Sequence, residues 1–265
     1  ILQLDDPNHF NTFSTELGED MLCAVQHIRA LPSAASVVVQ GTGPHFSVGG
    51  NPYMRCTIVT RPGARSSGFA LSFRELYSGF VQLRTLPHLV VGAVHGVLVG
   101  GGVAGCLHVD HLTADHASTF EHGNLVRGVC VLGMLSKTFA IALGPHAQHV
   151  YLQNARLDAT TAWAAGLVHQ LCVGVNTTHA RAHEIACRML HGEDLVMTAC
   201  CFRAAIHRAA LEREAVGHGE CQAINGGFAK SQLETHTSLA EGGLNLPTVV
   251  ATGCAPRRHV KMHLA

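Results

Sequence analysis

Aromatic residues make up only 5% of this 265-residue chain, with a single tryptophan, and its formal charge at neutral pH is zero. So few rings exclude a base-stacking surface. The even charge balance leaves no basic face for nucleic acid. None of the ten cysteines forms a Cys-x-x-Cys pair, which excludes a zinc ribbon and a thioredoxin-type site. Cys200 and Cys201 are sequence neighbours, awkward partners for an ordinary bridge. A chain of this length needs no covalent staples, so free buried thiols in a reducing compartment, the cytoplasm, are expected. There is no Gly-x-Ser-x-Gly elbow and no phosphate-cradling loop. No signal peptide is visible, and the opening at Ile1 suggests an excised or processed segment. The apolar run 90–107 is broken by six glycines and His95 and reads as a buried strand–turn–helix, so no membrane partner is expected.

What is abundant is hydrophobic residues, at 47%, and glycine, with 28 residues. That suits one sizeable core in a turn-rich α/β domain. Two glycine turns carry the most information: Phe46-Ser47-Val48-Gly49-Gly50-Asn51 and Gly100-Gly101-Gly102. Each follows an apolar run that reads as a strand, Ser36 to Gln40 and Leu89 to Val94. Glycine allows close approach of a ligand to backbone N–H groups. Two such turns could aim two donors at one oxygen, and such a donor stabilises a developing oxyanion by about 3–4 kcal/mol.

In order and spacing, several segments resemble the crotonase superfamily (enoyl-CoA hydratase/isomerase family). They are Asn11-Thr12-Phe13-Ser14, Val37 to Gly41, His45 to Gly50, His95 to Gly102, Asp110, Ser118-Thr119-Phe120, Arg156 to Ala159 and Ala165 to Val168. The resemblance spans roughly residues 1–245 and implies an α/β crotonase spiral of repeated ββα units with a C-terminal helical region, assembled as a homotrimer or as a tandem-domain assembly. It assigns the oxyanion donors to Gly50 and Gly101, with Ser47, Val48 and Gly100 around the substrate. It also marks a departure. The family's first glutamate falls at Ala104, the second at Asn124, and an acid used by some dienoyl isomerases falls near Leu132. Alanine and asparagine cannot move the protons that hydration requires.

Along the chain, Ser14 reads as an N-cap, followed by Leu17, Met21, Ala24, Val25 and Ile28 at helical spacing. Residues 51–67 lack periodicity and are expected to form a lid carrying Tyr53 and Arg55. Phe69, Phe73, Leu76, Phe80 and Leu83 form a packing stripe. His111 to Ala114 reads as a strand and Phe120 to Val131 as a glycine-broken loop, with helices resuming near Ser136 and Thr160. The domain is expected over 1–245, with 246–265 a linker and the start of a second copy, because Val260 to Ala265 echoes the opening Ile1 to Asp5. An ordinary terminal strand is the alternative.

His122 and Glu121 lie in the segment of the missing second glutamate, and either could serve as acid or base, or Glu121 could orient His122. Asn124 could position a carboxylate or water, or satisfy loop backbone. Tyr53 could hold a substrate carboxylate. His45 and His95 could face the thioester or pack at strand ends. His179, His183, Cys187 and His191 recur every four residues, as do ligands of an incidental surface metal, and His108, His111 and His116 form a second patch. No functional metal and no cofactor is expected. The acyl group would arrive as a thioester of CoA or of an acyl carrier protein. The resemblance is closest to the crotonase-like proteins of polyketide β-branching cassettes, which implies a lyase that decarboxylates or dehydrates a carried acyl group. An enoyl-CoA isomerase and a catalytically degenerate thioester-binding or structural domain remain as alternatives.

Overall fold

The computed structural model describes residues 1–31, 36–50, 76–127, 133–189 and 259–263. The first strand, β1 (Leu2–Leu4), leads through Asn11 to α1 (Thr15–Arg29). Ser14 caps α1, its Oγ accepting the Leu17 N–H at 3.2 Å. Leu17, Met21, Ala24, Val25 and Ile28 bury the helix's apolar face, as their spacing predicts. Burial of each large aliphatic side chain there contributes about 1.5–3 kcal/mol.

The strands β2 (Ser36–Gly41), β3 (Leu89–Val94), β5 (His111–Asp115) and β8 (Gln170–Cys172) join β1 in a parallel sheet. Its order is β8-β5-β3-β2-β1-β9, with β9 (Val260–Met262) antiparallel on the outer edge. The runs Val37 to Val39 and Leu89 to Val91 are apolar throughout because both faces are covered. One face meets the main core with Met21, Phe80 and Leu98. On the other, Ala182, Ile185 and Ala186 of α6 (Val175–Met189) pack on Val38, Leu89, Val91 and Ala93.

A second sheet, β4-β6-β7, joins β4 (Val97–Val99), β6 (Thr119–Glu121) and β7 (Arg156–Asp158). Between β4 and β5 lies the short helix α2 (Gly101–Cys106). Further helices are α3 (Leu135–Leu143), α4 (Ala147–Leu152) and α5 (Ala159–Ala164), the last capped by Asp158.

Three expectations meet the structure here. The segment from Phe120 does not begin as a loop: Phe120 and Glu121 belong to β6, whose edges are satisfied by β4 and β7. The segment that echoes the chain's opening pairs with it, Leu2 opposite Met262 and Leu4 opposite Val260, and Lys261 forms an ion pair with Asp5. Residues 76–82 are helical with Leu76 and Phe80 buried, while Phe69 and Phe73 lie outside the described residues. The expected lid at 51–67, with Tyr53 and Arg55, also lies outside them, as do the linker, Leu132 and His191.

Candidate active site

Strands β2 and β3 are parallel neighbours in register from Ser36 opposite Leu89 to Gln40 opposite Ala93. Their C-terminal ends therefore leave the sheet side by side, the edge where parallel α/β sheets place ligands. The first glycine turn follows β2 there, and the second follows β4, the short strand that continues the chain beyond β3.

The first turn is stitched to the N-terminal segment. Asn11, fully buried, accepts the Asp6 N–H at 2.7 Å and donates to the carbonyls of Thr42 and His45, both at 2.9 Å. Ser47 Oγ donates to the Asn11 carbonyl at 2.7 Å and accepts the Gly49 N–H at 3.2 Å. Phe13 N–H donates to Gly49 O at 2.8 Å, and Val48 N–H to Phe10 O at 3.3 Å. Ser47, expected near substrate, is thus wholly buried in bonds that shape the turn, and Val48 is half-buried beside it.

The second turn packs against the first backbone to backbone. A Cβ on Gly49 would lie 2.0 Å from Val99 O, and one on Gly102 would lie 2.0 Å from Ser47 O. Only glycine fits at either position, and Gly49 also takes a φ of +90°. Their interlock brings the predicted donors together: the point where a Cβ on Gly101 would sit is 3.3 Å from Gly50 N. Gly101 is the first residue of α2, so no carbonyl of that helix receives its N–H. Gly50 is exposed, and its N–H has no hydrogen-bond partner among the described residues. Gly100 spends its own N–H on Glu121 O at 3.0 Å, which ties the turn to β6.

Asn124 sits at this junction. Its Oδ1 would be 3.2 Å from a Cβ on Gly100. Ala104, one helical turn beyond Gly101, is fully buried and offers no titratable group.

Glu121 and His122 leave β6 in different surroundings. Glu121 stands opposite Arg156 across the antiparallel β6–β7 pair. Its carboxylate accepts from Arg127 at 3.0 Å, Asn154 at 3.2 Å and Arg156 at 3.2 Å. Burial alone would raise this carboxyl's pKa, but those bonds outweigh it and hold the group below the usual range. The His122 ring packs edge-on to Phe139 and Tyr151, with centroids 5.2 and 4.6 Å away. Burial pushes its pKa down to about 4, so it is neutral at pH 7.

Several other histidines hold the scaffold. His45 Nδ1 accepts the Val97 N–H at 3.1 Å, and His95 Nε2 lies 2.9 Å from Gly43 O. His179 stacks edge-on to His95, and His111 on His169. Arg84 Nε donates to His108 Nδ1 at 3.0 Å. Among the described residues no group of three His, Cys, Asp or Glu side chains is arranged to hold a metal. No helix among them is long and apolar enough to cross a membrane.

Two contributors were missed from sequence. Asn11 belongs to a quoted segment, but its role needs Thr42 and His45 beside it. Tyr77 packs on Phe13 at 5.4 Å, and its hydroxyl would be 2.7 Å from a Cβ on Gly101. Its spacing from Phe73 and Phe80 places it on the aromatic stripe, which is the signal that could have found it.

Comparison with known proteins bears on the family and the fold. A family model described as enoyl-CoA hydratase/isomerase matches residues 1–231. A Thermus thermophilus protein named for enoyl-CoA hydratase is 27% identical over 190 residues, covering 70% of this chain and 74% of that protein. A Mycobacterium tuberculosis protein, EchA14, also named for that activity, is 26% identical over 168 residues. That match spans 63% of each chain, less than two thirds of the relative's length. The crystal structure of an enoyl-CoA hydratase from Bacillus halodurans superposes with a TM-score of 0.71 at 17% identity, covering 90% of this chain and 91% of that one. One from Mycobacterium avium subsp. paratuberculosis gives 0.67 at 23% identity, covering 89% and 92%. At those identities the two structures establish the shared fold alone.

Proposed function

Because the chain belongs to the enoyl-CoA hydratase/isomerase family, we propose that it is an acyl-thioester enzyme that stabilises an enolate at the N–H groups of Gly50 and Gly101 and does not hydrate enoyl groups. The observation that carries this is the pairing of an intact donor pair with Ala104 and Asn124 at the family's two glutamate positions. Hydration needs a base to activate water and an acid to protonate carbon. Neither residue can supply either.

Decarboxylation fits what remains. The bond between a substrate carboxylate and the carbon that bears it, the α-carbon or the γ-carbon of an α,β-unsaturated group such as 3-methylglutaconyl, breaks; carbon dioxide leaves, and the electron pair passes through the conjugated chain onto the thioester oxygen between the two donors. Donors fixed by the backbone stabilise that charge without rearranging. One proton from water then adds to the α- or γ-carbon of the enolate. Asn124, beside Gly100, is placed to hold the departing carboxylate by its amide. Glu121 positions the Gly100 turn through β6, and His122 packs as a neutral ring. The substrate class is a carboxylated acyl group on CoA or on an acyl carrier protein, as in polyketide β-branching.

A second reading, a thioester-binding domain without turnover, is favoured by the commitments of Glu121 to two guanidiniums and of His122 to two aromatic rings. Mass spectrometry of 3-methylglutaconyl thioesters, on CoA and on a carrier protein, separates the two. Loss of one carbon dioxide from the acyl group, abolished by Gly50→Trp, supports the enzyme. A Cβ on Gly50 meets nothing within 4 Å among the described residues, so the substitution starts without a backbone clash. Unchanged substrate that still binds supports the second reading.

A further inference from the structure

Three polar groups lie close together around Gly101. The point where Gly101 lacks a Cβ is 3.3 Å from Gly50 N and 2.7 Å from Tyr77 Oη, and it adjoins Gly101's own N–H. The third edge is apolar, with Phe13 Cδ2 at 3.3 Å. Tyr77 cannot easily turn away. Phe13 meets its ring at 5.4 Å, and Gly133 lies so close that a Cβ there would be 2.6 Å from Tyr77 Cδ1. Tyr77 is 7% exposed, and its hydroxyl has no hydrogen-bond partner among the described residues. A ligand oxygen held beside Gly101 by the two N–H groups would offer this hydroxyl an acceptor.

We propose that the Tyr77 hydroxyl is a third hydrogen-bond donor to the thioester oxygen held by Gly50 and Gly101, a role that rests on the thioester reading of the site. Burial raises the phenol's pKa, so the proton stays on the oxygen throughout the neutral range. The group therefore meets a developing enolate as a donor and never as a competing anion. The backbone pair is then reinforced by a side chain from a separate helix, at a place where the family's glutamates are missing.

Infrared spectroscopy of a bound acyl-CoA labelled with carbon-13 at the thioester carbonyl tests this directly. Each donor on the oxygen lowers the carbonyl stretch, whatever reaction follows. Tyr77→Phe removes one oxygen atom and keeps the ring contacts with Phe13 and Gly133. The expected result is a large downshift in the wild-type protein that moves part-way back toward free thioester in Tyr77→Phe. An equal downshift in both proteins would overturn the role of Tyr77 and leave the thioester site standing. Bound acyl-CoA with an unshifted carbonyl in the wild-type protein, or no binding at all, would overturn the thioester site and Tyr77's role with it.

Discussion

Replacing Gly101 with alanine puts a methyl group where the donors converge. Gly101 does not take a positive φ, so alanine incurs no backbone strain there. The new carbon would lie 2.7 Å from Tyr77 Oη, 3.3 Å from Gly50 N and 3.3 Å from Phe13 Cδ2. The Tyr77 ring is wedged against Phe13 and Gly133, so the contact is relieved only by small shifts, at about 1–3 kcal/mol of stability. The larger effect is on catalysis. A thioester oxygen can no longer reach both N–H groups, and loss of even one oxyanion donor lowers kcat by roughly 10²–10³-fold. The assay is decarboxylation followed by mass spectrometry, with urea denaturation of the same preparation to confirm a folded protein. Gly102→Ala provides the contrast: its Cβ would be 2.0 Å from Ser47 O, a backbone atom, so it should fail to fold. A folded Gly101→Ala protein with wild-type turnover would refute the oxyanion assignment.

Two further outcomes follow from β6. Glu121→Gln weakens three bonds on the Arg127, Asn154 and Arg156 side, and should reduce stability by about 1–2 kcal/mol in urea. The shape of its pH–rate profile should not change, since the carboxylate is a partner of arginines; a lost limb would instead mark Glu121 as the acid or base. His122 titrates near 4 in the folded protein against an ordinary value of 6.5, so the unfolded chain binds more protons between those values. Stability from this group is complete above about pH 6.5 and is lost as pH falls through 4, by on the order of 1–2 kcal/mol between pH 7 and 5. His111 and His179 are lowered in the same direction, so His122→Leu should flatten the denaturation slope over that range without abolishing it. An unchanged slope would contradict the burial of His122.

Local signals carried much of this molecule. Ser14 and the stripe from Leu17 to Ile28 are set by capping and by 3.6-residue periodicity, which need no tertiary information. The two glycine turns were legible because a glycine pair after a β-branched run has few other uses. Their meeting was not legible from spacing alone, because it depends on the register of β2 and β3 and on the interlock of Gly49 with Val99 and Gly102 with Ser47. Glu121 and His122 illustrate the same limit. Adjacent in sequence, they differ because β6 sets Glu121 opposite Arg156, while His122 meets α3 and α4. Phe120 read as loop because three residues of strand are too few for a periodic signal. Tyr77 was hidden within its own stripe: spacing places it on a packing face, and only the missing Cβ of Gly101 gives its hydroxyl somewhere to point.

The central claim is that the oxyanion pair has been kept while the hydration pair has been lost. One incubation tests it: the purified protein with crotonyl-CoA and 3-methylglutaconyl-CoA together, followed by mass spectrometry of both acyl groups. The account predicts that the glutaconyl group loses one carbon dioxide while crotonyl-CoA gains no water. Crotonyl-CoA hydrated and the carboxylated thioester left intact would contradict it.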